Sequence, residues 1–134
     1  MLVEHARNLA GIPRGSHAEY GERGDPVITL LACSLLDQTI SVELTPGSRI
    51  EALYGRREAV ERTTCSYGLA PHVQHIASEF GMRVGATDET GEVRAVERVD
   101  HPFFLGTLYQ PQLTSEDGAP HPVFVGLLAA ARNV

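Results

Sequence analysis

The chain has 134 residues, of which 43% are hydrophobic and 21% charged, and a formal net charge of -6. That length suits one domain, and the balance argues against a disordered chain. An acidic surface repels phosphates and anionic lipid, and the eleven Lys and Arg residues are scattered, so neither a nucleic acid nor a membrane partner is expected. The longest apolar runs, VITLLACSLL and PVFVGLLAAA, fall short of the roughly 20 residues that span a bilayer. The first segment holds Glu4, His5 and Arg7 within its apolar pattern, unlike a secretory signal, which predicts a cytoplasmic protein. Cys33 and Cys65 are too few for a disulfide scaffold and lack zinc-type spacing, so reduced thiols are expected, with no metal and no cofactor.

Leu2, Val3, Ala6, Leu9 and Ala10 recur at helical spacing before Gly11 and Pro13, predicting a short amphipathic helix over 2–10. No capping residue precedes it, which leaves its first amides without partners and hints at a segment upstream. Residues 12–25 read as a surface loop. VITLLACSLL, 27–36, has the length and β-branched content of a strand buried on both faces, with a short buried helix as the alternative. Ser41 to Leu44 alternates as a second strand, and Ser48 caps a helix through Tyr54 that Gly55 ends.

Ala59 to Tyr67 reads as one strand, in which Glu61 and Arg62 form a paired edge charge worth little. Pro71 opens a helix with Val73, Ile76, Ala77 and Phe80 on its apolar face. Residues 82–99 alternate on either side of Asp88-Glu89-Thr90-Gly91, a β-hairpin with glycine where positive φ is needed. Phe103 to Tyr109 makes a further strand. Val123, Phe124, Leu127, Leu128 and Ala131 then predict a C-terminal helix with one face on a sheet. The sum is an α/β domain with a mixed sheet flanked by helices.

One further pattern runs nearly end to end. The pieces are the acidic-Xaa-Ala-Arg-Asn segment at Glu4 to Asn8, Pro26-Val27-Ile28, Pro46-Gly47-Ser48, Tyr54-Gly55, Glu61-Arg62 and Tyr67, followed by Asp88 to Gly91, Asp100 to Phe104, Thr114-Ser115 and Pro120 to Phe124. In this order they resemble the C-terminal glutaminase domain of the CTP synthases, a class I glutamine amidotransferase, and most closely a group named for its relation to that region. The resemblance implies a flavodoxin-like amidotransferase fold whose N-terminal part is absent. Residues 1–134 would then be a single domain, the C-terminal part of a longer parent domain.

The resemblance also implies a Cys-His-Glu triad, in which a cysteine at a strand-to-helix elbow attacks the glutamine amide and ammonia leaves. The histidine and glutamate would stand on an H-P-E segment at a strand end, the imidazole moving protons and the carboxylate orienting it. Here that segment is Gln110-Pro111-Gln112. An amide side chain exchanges no proton, and Gln112 offers no charge to steady an imidazolium. The elbow cysteine would precede the segment matching Met1 to Asn8. The substrate-holding Arg-His-Arg-His-Arg-Tyr stretch of the family meets Arg62-Thr63-Thr64-Cys65-Ser66-Tyr67. The implied reading is a glutaminase-like domain with degenerate triad positions at Gln110 and Gln112. It would hold a small molecule related to glutamine, or a partner, near Cys65, Ser66, Tyr67, Tyr109 and Gln110.

Two other readings stand beside it. Cys65, among Thr, Ser and Tyr, is a candidate thiol for a redox protein, paired with Cys33 or alone. Alternatively the chain is a fragment of a glutamine-hydrolysing CTP synthase-like enzyme of pyrimidine biosynthesis. His72 and His75 have a metal-compatible spacing but no third ligand, which favours a solvated helix face. His101 and His121, each before proline, read as structural, and Thr114 to Asp117 as mostly loop. No G-x-S-x-G elbow is present. An exposed sheet edge, covered in a homo-oligomer, is expected where the preceding strands are missing.

Overall fold

The structure is a computed structural model that describes residues 1–21, 23–32 and 34–132. Helices are α1 (Leu2–Asn8), α2 (Arg49–Tyr54) and α3 (Pro122–Ala131). Strands are β1 (Gly15–His17), β2 (Asp25–Leu30), β3 (Gln38–Leu44), β4 (Glu58–Thr63), β5 (Tyr67–Leu69), β6 (Met82–Asp88), β7 (Val93–Arg98) and β8 (Leu105–Thr107). They form two sheets, β1-β2-β5 and β4-β3-β6-β7-β8. Among the described residues only β1 and β2 run parallel; the five-stranded sheet is antiparallel throughout. One core, with Ala6, Val27, Leu69, Ile76 and Met82, joins α1 to the smaller sheet. The other, with Val42, Leu44, Ile50, Ala86 and Tyr109, lies under α2.

The mixed α/β architecture agrees with expectation, and its clearest successes are local. Ser48 Oγ accepts the Glu51 N–H at 3.1 Å, and Gly55 ends α2 in the left-handed region at φ 64°. A six-residue helix is too short to persist alone. Its first amides are held from below: the buried Glu97 carboxylate accepts the N–H groups of Arg49 at 3.1 Å and Ile50 at 3.3 Å, and the Arg83 guanidinium at 2.7 Å. The β6–β7 hairpin turns at Gly91, φ 82°, where Asp88 Oδ1 accepts the N–H groups of Thr90 and Glu92.

Several expectations fail for physical reasons. The run 27–36 is neither buried on both faces nor a strand throughout: β2 stops at Leu30, and Leu30 and Leu36 are exposed. The loop 12–25 contains β1 and a 3-10 turn at Ala18–Tyr20. The strand expected over 59–67 breaks at Thr64-Cys65-Ser66, so that β4 joins the larger sheet and β5 pairs with β2 in the other. Residues 71–78 wind as 3-10 turns rather than an α-helix, and Phe80 is exposed at φ 53° instead of completing an apolar face. The strand expected over 103–109 shrinks to three residues. Finally, α3 packs on α2, not on a sheet; Gly126 approaches Leu53 and Phe103, while Val125, Leu127 and Leu128 are exposed.

Candidate functional site

The site is built where β4 and β8 end. β8 runs out at Thr107, and a 3-10 turn at Pro111–Leu113 follows. Gln110, between them, is fixed from both its backbone and its side chain. Its N–H donates to Arg62 O at 3.1 Å, and its Oε1 accepts the Thr64 N–H at 2.7 Å. The Gln110 amide therefore ties down the first residue of the break between β4 and β5. Gln112, on the turn, is exposed.

Cys65 and Ser66 complete that break. The Cys65 thiol is partly buried; its sulfur accepts the Tyr67 N–H at 3.4 Å and lies 3.6 Å from Tyr67 O. Among the described residues no histidine or other base is hydrogen-bonded to it. Cys33 lies outside the described residues, and its pairing with Cys65 lies outside them too. Ser66 Oγ meets Ser34 Oγ at 2.7 Å. The Tyr67 ring faces His17 at 5.3 Å, and His17 faces Tyr20 at the same distance. His17 lines a cavity of about 200 Å³ beneath the first turn of α1, together with Leu2, Ile28, Val96 and Gly106.

Tyr109, the remaining ligand candidate, is only 1% exposed and belongs to a second polar cluster inside the domain. Here Glu61 is the centre, which overturns its reading as an edge charge: it is 2% exposed. Glu61 Oε1 accepts the Tyr54 hydroxyl at 2.7 Å and Oε2 accepts the Thr114 hydroxyl at 3.1 Å. His121 Nδ1 accepts the Val123 N–H at 3.2 Å, which leaves the proton on Nε2. That N–H lies 2.9 Å from the Tyr54 oxygen and 3.1 Å from Glu61 Oε1. The Tyr109 hydroxyl completes the cluster by donating to Tyr54 at 3.0 Å. Burial pushes the pKa of both Tyr54 and Tyr109 above the usual tyrosine range, so both stay neutral donors.

Sequence reasoning missed this cluster, although the signal was present. Alternation along Glu58-Ala59-Val60-Glu61-Arg62-Thr63 puts Ala59, Glu61 and Thr63 on one face, and the small flanking residues mark that face as buried. Arg62 points the other way, to Asp37 at 3.0 Å. The remaining candidates fall as follows. Ser115 Oγ accepts the His121 N–H, so Thr114 and Ser115 serve α3 and Glu61. His101 accepts the Phe103 N–H at 3.1 Å, and His72 and His75 are both exposed on the 3-10 segment. Among the described residues no helix is long and apolar enough to cross a membrane.

No family model matches the sequence. Curated relatives do. The CTP synthase of Caulobacter vibrioides is 32% identical over 151 aligned positions, covering 98% of this chain and 28% of that protein. The CTP synthase of Gluconobacter oxydans is 30% identical over 149, covering 97% and 27%. The chain thus spans little more than a quarter of the length of these relatives. Among solved structures, the glutaminase domain of Trypanosoma brucei CTPS with bound acivicin superposes with a TM-score of 0.86 at 23% identity, over 98% of this chain and 55% of that one. Along nearly its whole length the chain is thus similar in sequence to a part of the CTP synthases, and its fold is that of a CTP synthase glutaminase domain.

Proposed function

We propose that this chain is a glutaminase-like domain that does not hydrolyse glutamine and works instead as a binding module for a small molecule related to glutamine, or for a partner. The observation that carries the reading is the bonding of Gln110. Where the reaction needs a base, the side chain is an amide, and its oxygen is already committed to the Thr64 N–H. The titratable groups clustered around Glu61 are buried and mutually satisfied. Cys65 has its sulfur engaged by Tyr67, which weighs against the thiol reading.

Cys65, Ser66 and Tyr67 make the natural contact face for a ligand, with His17 across from Tyr67. The similarity to CTP synthases supports a place in the cytoplasm beside pyrimidine nucleotide synthesis. Incubation with glutamine and measurement of ammonia tests the reading. No release above buffer is expected for the wild type or for Gln110→His. Turnover that survives Gln110→Ala and is lost in Cys65→Ser would overturn it in favour of a thiol enzyme.

A further inference from the structure

Helix α1 turns Leu2, His5 and Ala6 inward, at the spacing of a buried stripe. His5 is 6% exposed, and among the described residues neither of its ring nitrogens has a hydrogen-bond partner. The carbonyls of Ile76 and Glu79 lie near the ring and favour its proton, but neither meets it in bonding geometry. Buried polar groups in folded proteins are nearly always paired. An imidazole set among apolar neighbours with both nitrogens idle calls for a partner that the described residues do not supply.

Such a partner has room. His5 stands in the wall of a cleft of about 520 Å³ between α1 and the crossing from β7 to β8, together with Met1, Glu4, Leu9, Arg98 and Phe104. That volume suits a small molecule. The cleft shares Met1 alone with the cavity of about 200 Å³ that His17 lines.

The chemistry of the walls says what would fit. The Glu4 carboxylate accepts Arg7 Nη1 and Asn8 Nδ2, each at 3.2 Å, and the Arg98 guanidinium donates to Asp100 at 2.9 and 2.6 Å. Each charge is balanced within the chain, so the cleft has little to draw an ion. Burial and the nearby Arg98 charge lower the His5 pKa, and the neutral ring carries one N–H and one bare nitrogen. A hydroxyl complements either, donating to the bare nitrogen or accepting from the N–H. Leu9 and Phe104 make the facing wall apolar, and the Phe104 ring offers a flat face to another ring. We propose that this cleft is a second binding site, which takes a neutral hydroxylated aromatic molecule whose ring lies against Leu9 and Phe104 and whose hydroxyl bonds to His5.

The probes are 2-naphthol and naphthalene, which differ by that hydroxyl, titrated into the full chain near neutral pH. Saturable binding of 2-naphthol is expected, with displaced NMR resonances of the His5 ring protons, and naphthalene should bind about tenfold more weakly for want of one hydrogen bond. His5→Phe should abolish the tenfold preference while naphthalene still binds. Leu9→Glu is the second variant: the position is exposed, so folding should survive, and a charge in the apolar wall should weaken both probes. No saturable binding of 2-naphthol, equal affinity for the two probes, or a preference that survives His5→Phe overturns the proposal. So does saturation that leaves the His5 resonances unmoved, which would place the probe elsewhere.

Discussion

Glu61 and Gln110 both attach to the end of β4, and they do so in opposite ways. Glu61 is a charged group enclosed by donors from α2, the Pro111–Leu113 turn and the start of α3, so its charge holds elements together and faces no solvent. Gln110 is an uncharged group at a partly accessible strand end, where its oxygen replaces a missing backbone acceptor for Thr64. Proton chemistry needs a titratable group and a route to it. The titratable groups around Glu61 are buried, whereas the side chain that holds the end of β4 at Thr64 is an amide.

The sharpest way to break that contrast is Glu61→Ala. It strands the hydroxyls of Tyr54 and Thr114 and the His121 N–H in a buried site, and should lower the unfolding free energy by about 3–5 kcal/mol in a urea titration. A loss below about 1 kcal/mol would mean that the enclosed charge is dispensable. Gln110→Ala should cost less, about 1 kcal/mol, because the Thr64 N–H that loses its acceptor is exposed and water can replace the bond. Gln110→Glu keeps an acceptor and should recover most of that loss, which separates a holding role from one tied to the amide itself.

Ser48→Ala should remove about 1 kcal/mol through the lost cap. It touches neither corner and so calibrates the other two. The smallest expected effect concerns His5, which is buried next to Phe80. Burial lowers its pKa in the folded state below the ordinary value of 6.5. The unfolded chain therefore binds the proton more readily, so this contribution to stability is complete above about pH 6.5 and is lost as pH falls below it. His5→Phe should flatten that acid-side decline, measured as unfolding free energy against pH, with little change at pH 8.

Features set by neighbouring residues were legible in the sequence. The Ser48 cap, the Gly55 stop and the Gly91 turn depend on short-range geometry, and each stands where the residues put it. Features that depend on which sheet a strand joins were not. VITLLACSLL is apolar enough for a core strand, yet β2 ends at Leu30 because β5, its partner, begins at Tyr67 opposite it, and a single bond from Leu31 N–H to Ser66 O follows. At the candidate site, a resemblance alone singled out Gln110 and Gln112. The bond from Thr64 to Gln110 spans 46 positions and could not be seen locally. Glu61 was misread for the same reason, since its partners come from three separate elements.

Glu97 carries one more consequence. Its carboxylate is shared between the opening amides of α2 and the Arg83 side chain on β6, so the short helix has no independent existence. Loosening of the β6–β7 ribbon must release α2, and with it the surface on which α3 rests. Helical circular dichroism and sheet signals should accordingly disappear in a single cooperative transition on heating, with no plateau between them.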